Sequence, residues 1–288
     1  MSSYVIFTDS ACDIKGSLLQ EWGVASANLT FRFDGSEEEY SNDAMTAKDF
    51  YDRMRAGGVA KTAAINVDAF AQAFEKILQE GQDVLYLGFS SGLSTTYNSA
   101  RLAMDGLRER YPDRKLVAVD TLAASAGLGM LVYLAVEKQK AGATLEENAE
   151  YIKSLIPKLC HWFTVDDLIY LKRGGRVSAA AAFVGGVLGI KPVMHVDQEG
   201  HLVPVEKVRG RRTSISAMVQ KYGALAETPG EGPVFISHGD CISDVNVLVS
   251  MLKDQYGADV QLLTDVGPVI GAHAGPGVLA LFFIGKDR

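Results

Sequence analysis

The chain has 288 residues, 48% of them hydrophobic and 22% charged, with a formal net charge of −7. That length accommodates one large α/β domain or two smaller ones, and the composition excludes a disordered or fibrous chain. The acidic balance argues against a general affinity for nucleic acid while leaving local basic patches open. Three scattered cysteines, Cys12, Cys160 and Cys241, make neither a disulfide framework nor a CxxC pair, which fits a reducing cytoplasm.

The first apolar run, YVIFT, predicts a strand, and with no basic segment before it a signal peptide is not expected. Thr8, Asp9 and Ser10 follow at the strand's carboxyl edge, where open α/β sheets hold ligands; a turn in which Asp9 or Ser10 caps a helix explains them equally. VASANLTFR predicts a second strand. In DAFAQAFEKILQEG, Phe70, Phe74, Ile77 and Leu78 recur at helical spacing and predict an amphipathic helix on a sheet. The strand DVLYLGF leads into GFSSGLSTTYNSA, which opens a helix running to Arg110. Amides at that helix start, with the hydroxyls of Ser90, Ser91, Ser94, Thr95 and Thr96, suit a carboxylate or phosphate, whereas the plainest alternative is one N-cap and a glycine turn. The same residues match G-x-S-x-G, so a serine hydrolase using Ser90, with Asp120 or Asp265 and then His273, stands as a rival.

KLVAV predicts a further strand, ending at Asp120 and Thr121. The uncharged stretch from Thr121 to Val136 is shorter than the ~20 residues that span a bilayer, so no transmembrane segment is expected. Near residue 160 the pattern changes from parallel βα units to a hairpin, KPVMHVDQEGHLVPVEKV, turned at Asp197 to Gly200, which predicts a second domain and a cleft between the two. Arg173 and Arg176 in YLKRGGRVS, and Arg209, Arg211 and Arg212 in KVRGRR, suit phosphate or an acidic protein surface, or else form a solvated face. The small, apolar run from Ser178 to Met194 reads as core, or as the wall of a tunnel lined by Phe183, Val184, Val187, Leu188 and Ile190. PVFISH, DVQLLT and VLALFFI complete the strands. In GPVIGAHAGPG the glycines and prolines predict a loop that leaves the His273 ring free to meet a guest, unless a neighbouring carbonyl satisfies it. No metal spacing and no phosphate-loop motif accompanies it.

TDSACD, SSGLSTTYNSA, YLKRGGRVS, LGIKPV and GPVIGAHAGPGVLALFF occur in this order over essentially the whole chain and together resemble the DegV family. The resemblance implies a two-domain α/β fold. Residues 1–160 would carry a mostly parallel sheet flanked by helices, and residues 161–288 a lipid-binding α/β domain with a mixed sheet, against which 59–76 would pack. It implies a cytoplasmic protein that binds one long-chain fatty acid, needs no cofactor or metal, and is not catalytic alone. Its partner would be a separate ATP-binding fatty-acid kinase that makes an acyl phosphate for phospholipid synthesis; transient contact with a membrane surface is compatible, nucleic acid is not expected. The implied carboxylate contacts are Thr62, Ser94 and His273, with Ser91 as a further donor. Ile270 joins the tunnel residues, and Arg173, Arg176 and Arg209 would dock the kinase. Two departures bear on the head group: Thr62 to Asn66 replaces a T-S-Q-P-like stretch, and Thr95 stands where glycine is usual. A lipid-responsive interaction protein would share the ligand without the phosphate.

Overall fold

A computed structural model of the chain describes residues 3–177 and 189–288. Strands β1 (Tyr4–Asp9), β2 (Ala25–Ala27), β6 (Asp83–Gly88) and β7 (Leu116–Asp120) form a parallel sheet in the order β2-β1-β6-β7. Every residue of β6 is buried, as a central parallel strand covered on both faces requires. Between them, β3 (Thr30–Phe33), β4 (Tyr40–Ser41) and β5 (Ala60–Ala63) form a small antiparallel sheet, β4-β3-β5. The third sheet is mixed. It joins β8 (Leu159–Thr164), β9 (Ile190–Val196), β10 (Leu202–Arg209), β11 (Val234–His238), β12 (Leu262–Asp265) and β13 (Leu279–Ile284) in the order β10-β9-β8-β13-β11-β12, where β11 and β12 alone run parallel.

The helices are α1 (Gly16–Glu21), α2 (Ala47–Arg55), α3 (Val67–Gln79), α4 (Thr96–Arg110), α5 (Ala126–Lys140), α6 (Leu145–Leu155), α7 (Ile169–Gly174), α8 (Arg211–Leu225), α9 (Ile242–Tyr256) and α10 (Pro268–Ala274). Local chemistry sets several boundaries. Asn66 caps α3 by accepting from Ala69 N, and Thr144 with Glu147 closes a capping box on α6. The predicted apolar stripe of α3 is buried through Phe70, Phe74 and Leu78.

α5 explains the long uncharged stretch. It is wedged between the parallel and the mixed sheets, touching β1 and β6 on one side and β8, β11 and β13 on the other. A helix walled in on both sides must be apolar all round, and Ala126 to Val132 are all buried. Its glycines allow the approach: a Cβ on Gly127 would lie 2.3 Å from His161 Nε2, and one on Gly129 would lie 2.5 Å from Ile14. One continuous apolar core consequently joins Phe7, Tyr86 and Leu131 to Phe163, Phe235 and Phe282. Among the described residues no helix is long and apolar enough to cross a membrane.

Two expectations are corrected. VASANLTFR is two strands in two sheets, because the chain is pinned between them where Leu29 N donates to the Ser10 hydroxyl and Asn28 donates to Ser41. The segment before residue 160 is not made of parallel units alone: β3, β4 and β5 intervene, and the small alternating residues of β5 carry little strand propensity to announce it. β8, which the apolar patterning also left unassigned, is fully buried and central to the mixed sheet.

Candidate functional site

The carboxyl edge of the parallel sheet faces the inner side of the mixed sheet across a cavity of about 480 Å³. Its size is that of a small-molecule site. One part of its lining is polar and comes from three separate elements: Thr62 on β5, Ser91 and Ser94 in the loop between β6 and α4, and His273 on α10. Much of the remainder is apolar, including Phe89, Leu171, Phe163, Phe282, Val269 and Ile270.

His273 does not lie in a loop. Pro268 begins α10, where its missing N–H costs nothing, and Gly275, at φ 81°, ends it, so the same glycines and prolines delimit a short helix with His273 in its last turn. The N-terminus of that helix is held from elsewhere: Gly267 N donates to Asp13 Oδ1 and Val269 N to Asn42 Oδ1. At the other end, the His273 Nε2 lies 2.9 Å from Thr62 Oγ1. Its Nδ1 is buried with no partner, packed on Gly174, where a Cβ would lie 2.2 Å away. Burial, helped by the Arg176 charge, lowers the imidazole to about 4, so the ring is neutral near pH 7. Orphaned buried N–H groups are rarer than under-satisfied acceptors, which favours the tautomer protonated at Nε2. In that tautomer Nε2 donates to Thr62 and leaves the Thr62 hydroxyl proton free to point elsewhere.

The Phe89–Thr95 loop is built around Asp9. That carboxylate accepts from Tyr86 Oη, Phe89 N and Ala11 N, and burial raises it to about 6. It fixes backbone and does not touch the cavity. Ser94 accepts from Thr96 N, while its hydroxyl lies 2.9 Å from that of Thr96. Ser91 is exposed, its amide donating to Asp120.

The hydrolase arrangement is not assembled. Ser90 is fully buried; its hydroxyl donates to Gly200 O and accepts from Gly92 N. Asp120 accepts from the amides of Ser91 and Leu122, and Asp265 lies 3.6 Å from His238. The partner of His273 is Thr62, not Ser90 or either aspartate. GFSSG is a turn motif whose serine ties it to the β9–β10 hairpin.

Arg176 lines the cavity, its Nε donating to Leu93 O, whereas Arg173 and Arg209 are exposed on the surface. Arg211 does not belong to an exposed basic patch: it bridges Asp244 and donates to Gly277 O, stapling α8 to the turn that follows α10. Among the tunnel candidates, Ile270 lines the cavity. Ile190 does not: it pairs with Arg209 at the open end of the hairpin, six residues, roughly 20 Å, along the strand from the lining residue Val196. Phe183, Val184, Val187 and Leu188 lie outside the described residues. Missed altogether were His161 and Phe163 on β8, Ala280 and Phe282 on β13, and Ser125 and Ser237. VLALFFI announces its strand, but which face meets the cavity depends on the pairing register.

A family model described as "Uncharacterised protein, DegV family" matches residues 3–286. A DegV domain-containing protein of Clostridium perfringens is 40% identical over 289 aligned residues, covering 100% of this chain and 99% of that protein. Among solved structures, a DegV lipid binding protein from Thermotoga maritima is similar at 30% identity and a TM-score of 0.86, over 99% of each chain. A DegV family protein from Thermus thermophilus, whose structure is described by its fatty acid binding, is similar at 29% identity and a TM-score of 0.88, over 99% of this chain and 100% of that one. By whole-length sequence match and by fold, the chain belongs to the DegV family.

Proposed function

We propose that this protein binds one long-chain fatty acid, its tail in the cavity and its carboxylate at Thr62, Ser94 and His273, with Ser91 as a further donor. The observation that carries this reading is the cavity itself, apolar over most of its lining and polar where β5, α10 and the β6–α4 loop meet. The description of the Thermus thermophilus relative by its fatty acid binding supports it.

The tail supplies affinity. Burying a sixteen-carbon chain is worth on the order of 0.8 kcal/mol per methylene, roughly 12 kcal/mol before association costs are subtracted. Hydrogen bonds to an ionised group add about 1.5–3 kcal/mol each, so the polar end chiefly sets polarity and register. The neutral imidazole serves this better than a cation would. It does not form an ion pair that locks the carboxylate; it orients the Thr62 hydroxyl, and the hydroxyls grip one carboxylate oxygen while the other keeps its lone pairs.

That arrangement suits a carboxylate that must act as a nucleophile. The protein then presents its lipid to a separate ATP-dependent kinase, where the free oxygen attacks the γ-phosphorus of ATP, forming the acyl phosphate as the bond to the departing ADP breaks. Arg176 at the cavity, with Arg173 and Arg209 exposed on the surface, would meet the kinase or the phosphate in transit. In this reading the protein supplies position and needs no catalytic residue of its own.

The test is extraction. Protein purified from bacteria is expected to release a stoichiometric long-chain acid into organic solvent, identified by mass spectrometry, and His273→Ala to lower acyl-phosphate formation when kinase and ATP are added. Protein that is empty on every preparation and takes up no added fatty acid would overturn the reading. Binding without phosphoryl transfer would leave a lipid-responsive interaction protein instead.

A further inference from the structure

The cavity wall is not uniformly apolar. Pairing register sets Phe163, Ala280 and Ser237 in one row across β8, β13 and β11, all facing the cavity. Opposite Ser237, at the start of α5, stands Ser125, and the two hydroxyls lie 2.8 Å apart. Ser125 has φ 54° and ψ −149°, a conformation uncommon for a residue with a side chain. The fold holds it there through its amide, which donates to Ala11 O, and through its hydroxyl, which lies 2.6 Å from Asp13 Oδ2. Both serines line the cavity among Ala280, Val266 and Val278.

We propose that Ser125 and Ser237 form a polar subsite within the acyl chamber, and that the chamber accepts a long-chain acid bearing a hydroxyl part way along its chain. The proposal rests on the fatty-acid reading above and names the substrate class it favours.

Proton counting selects a hydroxyl over other groups. With Asp13 ionised, Ser125 donates to Asp13 and Ser237 donates to Ser125, so the pair has only lone pairs left to offer a ligand. With Asp13 protonated, the chain of donors reverses and Ser237 has a proton left to donate. Burial raises the Asp13 carboxyl to about 7, with Asp265 and Asp9 acting in the same direction, so both arrangements are populated near neutral pH. A ligand hydroxyl both donates and accepts, and meets either arrangement. A keto oxygen meets only the second, and a methylene meets neither.

The experiment uses delipidated full-length protein and displacement of a dansyl-labelled undecanoic acid. Octadecanoic acid is compared with a positional series of monohydroxyoctadecanoic acids. One position is expected to bind within roughly threefold of octadecanoic acid, while distant positions, which desolvate a hydroxyl against hydrocarbon, bind at least about tenfold more weakly. In Ser237→Ala the ratio of the preferred isomer to octadecanoic acid should fall by roughly tenfold, and Ser237→Thr, which keeps the hydroxyl, should retain it. Equal rejection of every hydroxy isomer, or a ratio untouched by Ser237→Ala, would overturn the subsite and leave the serines as a tie between α5 and β11. Should Ser237→Ala fail to fold, the positional series on the unaltered protein decides. If octadecanoic acid itself does not bind, the fatty-acid reading falls and takes this proposal with it.

Discussion

Gly174→Ala tests the polar end of the cavity without removing any of its functional groups. Gly174 ends α7 outside the left-handed region, which belongs to Gly175 at φ 68°, so alanine is tolerated by the backbone. The new Cβ would lie 2.2 Å from His273 Nδ1, 3.0 Å from Cγ and 3.3 Å from Cβ. Those atoms belong to the ring and its stem, so relief requires the imidazole to swing, and the 2.9 Å contact with Thr62 breaks. Overpacking costs about 1–3 kcal/mol, offset by up to ~1 kcal/mol of helix propensity, so the variant should fold with a Tm lowered by a few degrees. Losing one neutral hydrogen bond, about 0.5–1.5 kcal/mol, should weaken fatty-acid binding roughly two- to tenfold. Acyl-phosphate formation should fall further, on the order of a hundredfold, because the nucleophile is misplaced. Probe displacement and a coupled kinase assay read the two effects. Gly106→Ala, in an exposed turn of α4 with nothing within 4 Å, serves as the control and should gain up to ~1 kcal/mol of stability. A folded Gly174→Ala protein with unchanged affinity and transfer would refute the proposed role of the imidazole.

The remaining predictions follow from other contacts. Asp13 binds its proton more tightly folded than unfolded, so its contribution is complete below pH ~4 and is lost as pH rises through about 7. Asp13→Asn, which mimics the protonated group toward Ser125 and Gly267, should gain stability relative to the unaltered protein as pH rises from ~5 to ~8; a constant difference in Tm across that window would contradict the assignment. His273 runs the other way, its depressed value making folding weaker as pH falls from ~6.5 toward about 4, and comparing each variant with the parent at the same pH removes that contribution. Gly127→Ala would place a Cβ 2.3 Å from His161 Nε2 and 2.9 Å from Phe282 Cδ1, both lining residues. The displaced rings should shrink the chamber and shift the extracted acids toward shorter chains; an unchanged profile from a folded variant would remove His161 and Phe282 as determinants of length.

Legibility varied with the range of the interaction. The amphipathic stripe of Phe70, Phe74 and Leu78 and the continuous apolar strand 83–88 are short-range patterns, and both elements formed as read. The strand β8 was missed because LCHWFT mixes polar and apolar residues, and its burial on both faces comes from α5 and α8, which sequence order does not reveal. Local sequence left the GFSSG rival open for a related reason: five residues specify a turn, whereas a catalytic serine also needs a histidine, and the group that Ser90 actually meets is Gly200 O, 110 positions away.

By itself, the order of the residues determined the α/β alternation, the amphipathic helix carrying Phe70, Phe74 and Leu78, and the family signature segments, since each depends on neighbours a few positions apart. Only the tertiary structure decided that His273 ends a helix against Thr62, 211 positions distant, and that Ser125 meets Ser237 across the cavity. Periodicity reports which face of an element is apolar, but what that face meets is settled by sheet order and register, and those are satisfied only when the whole chain packs.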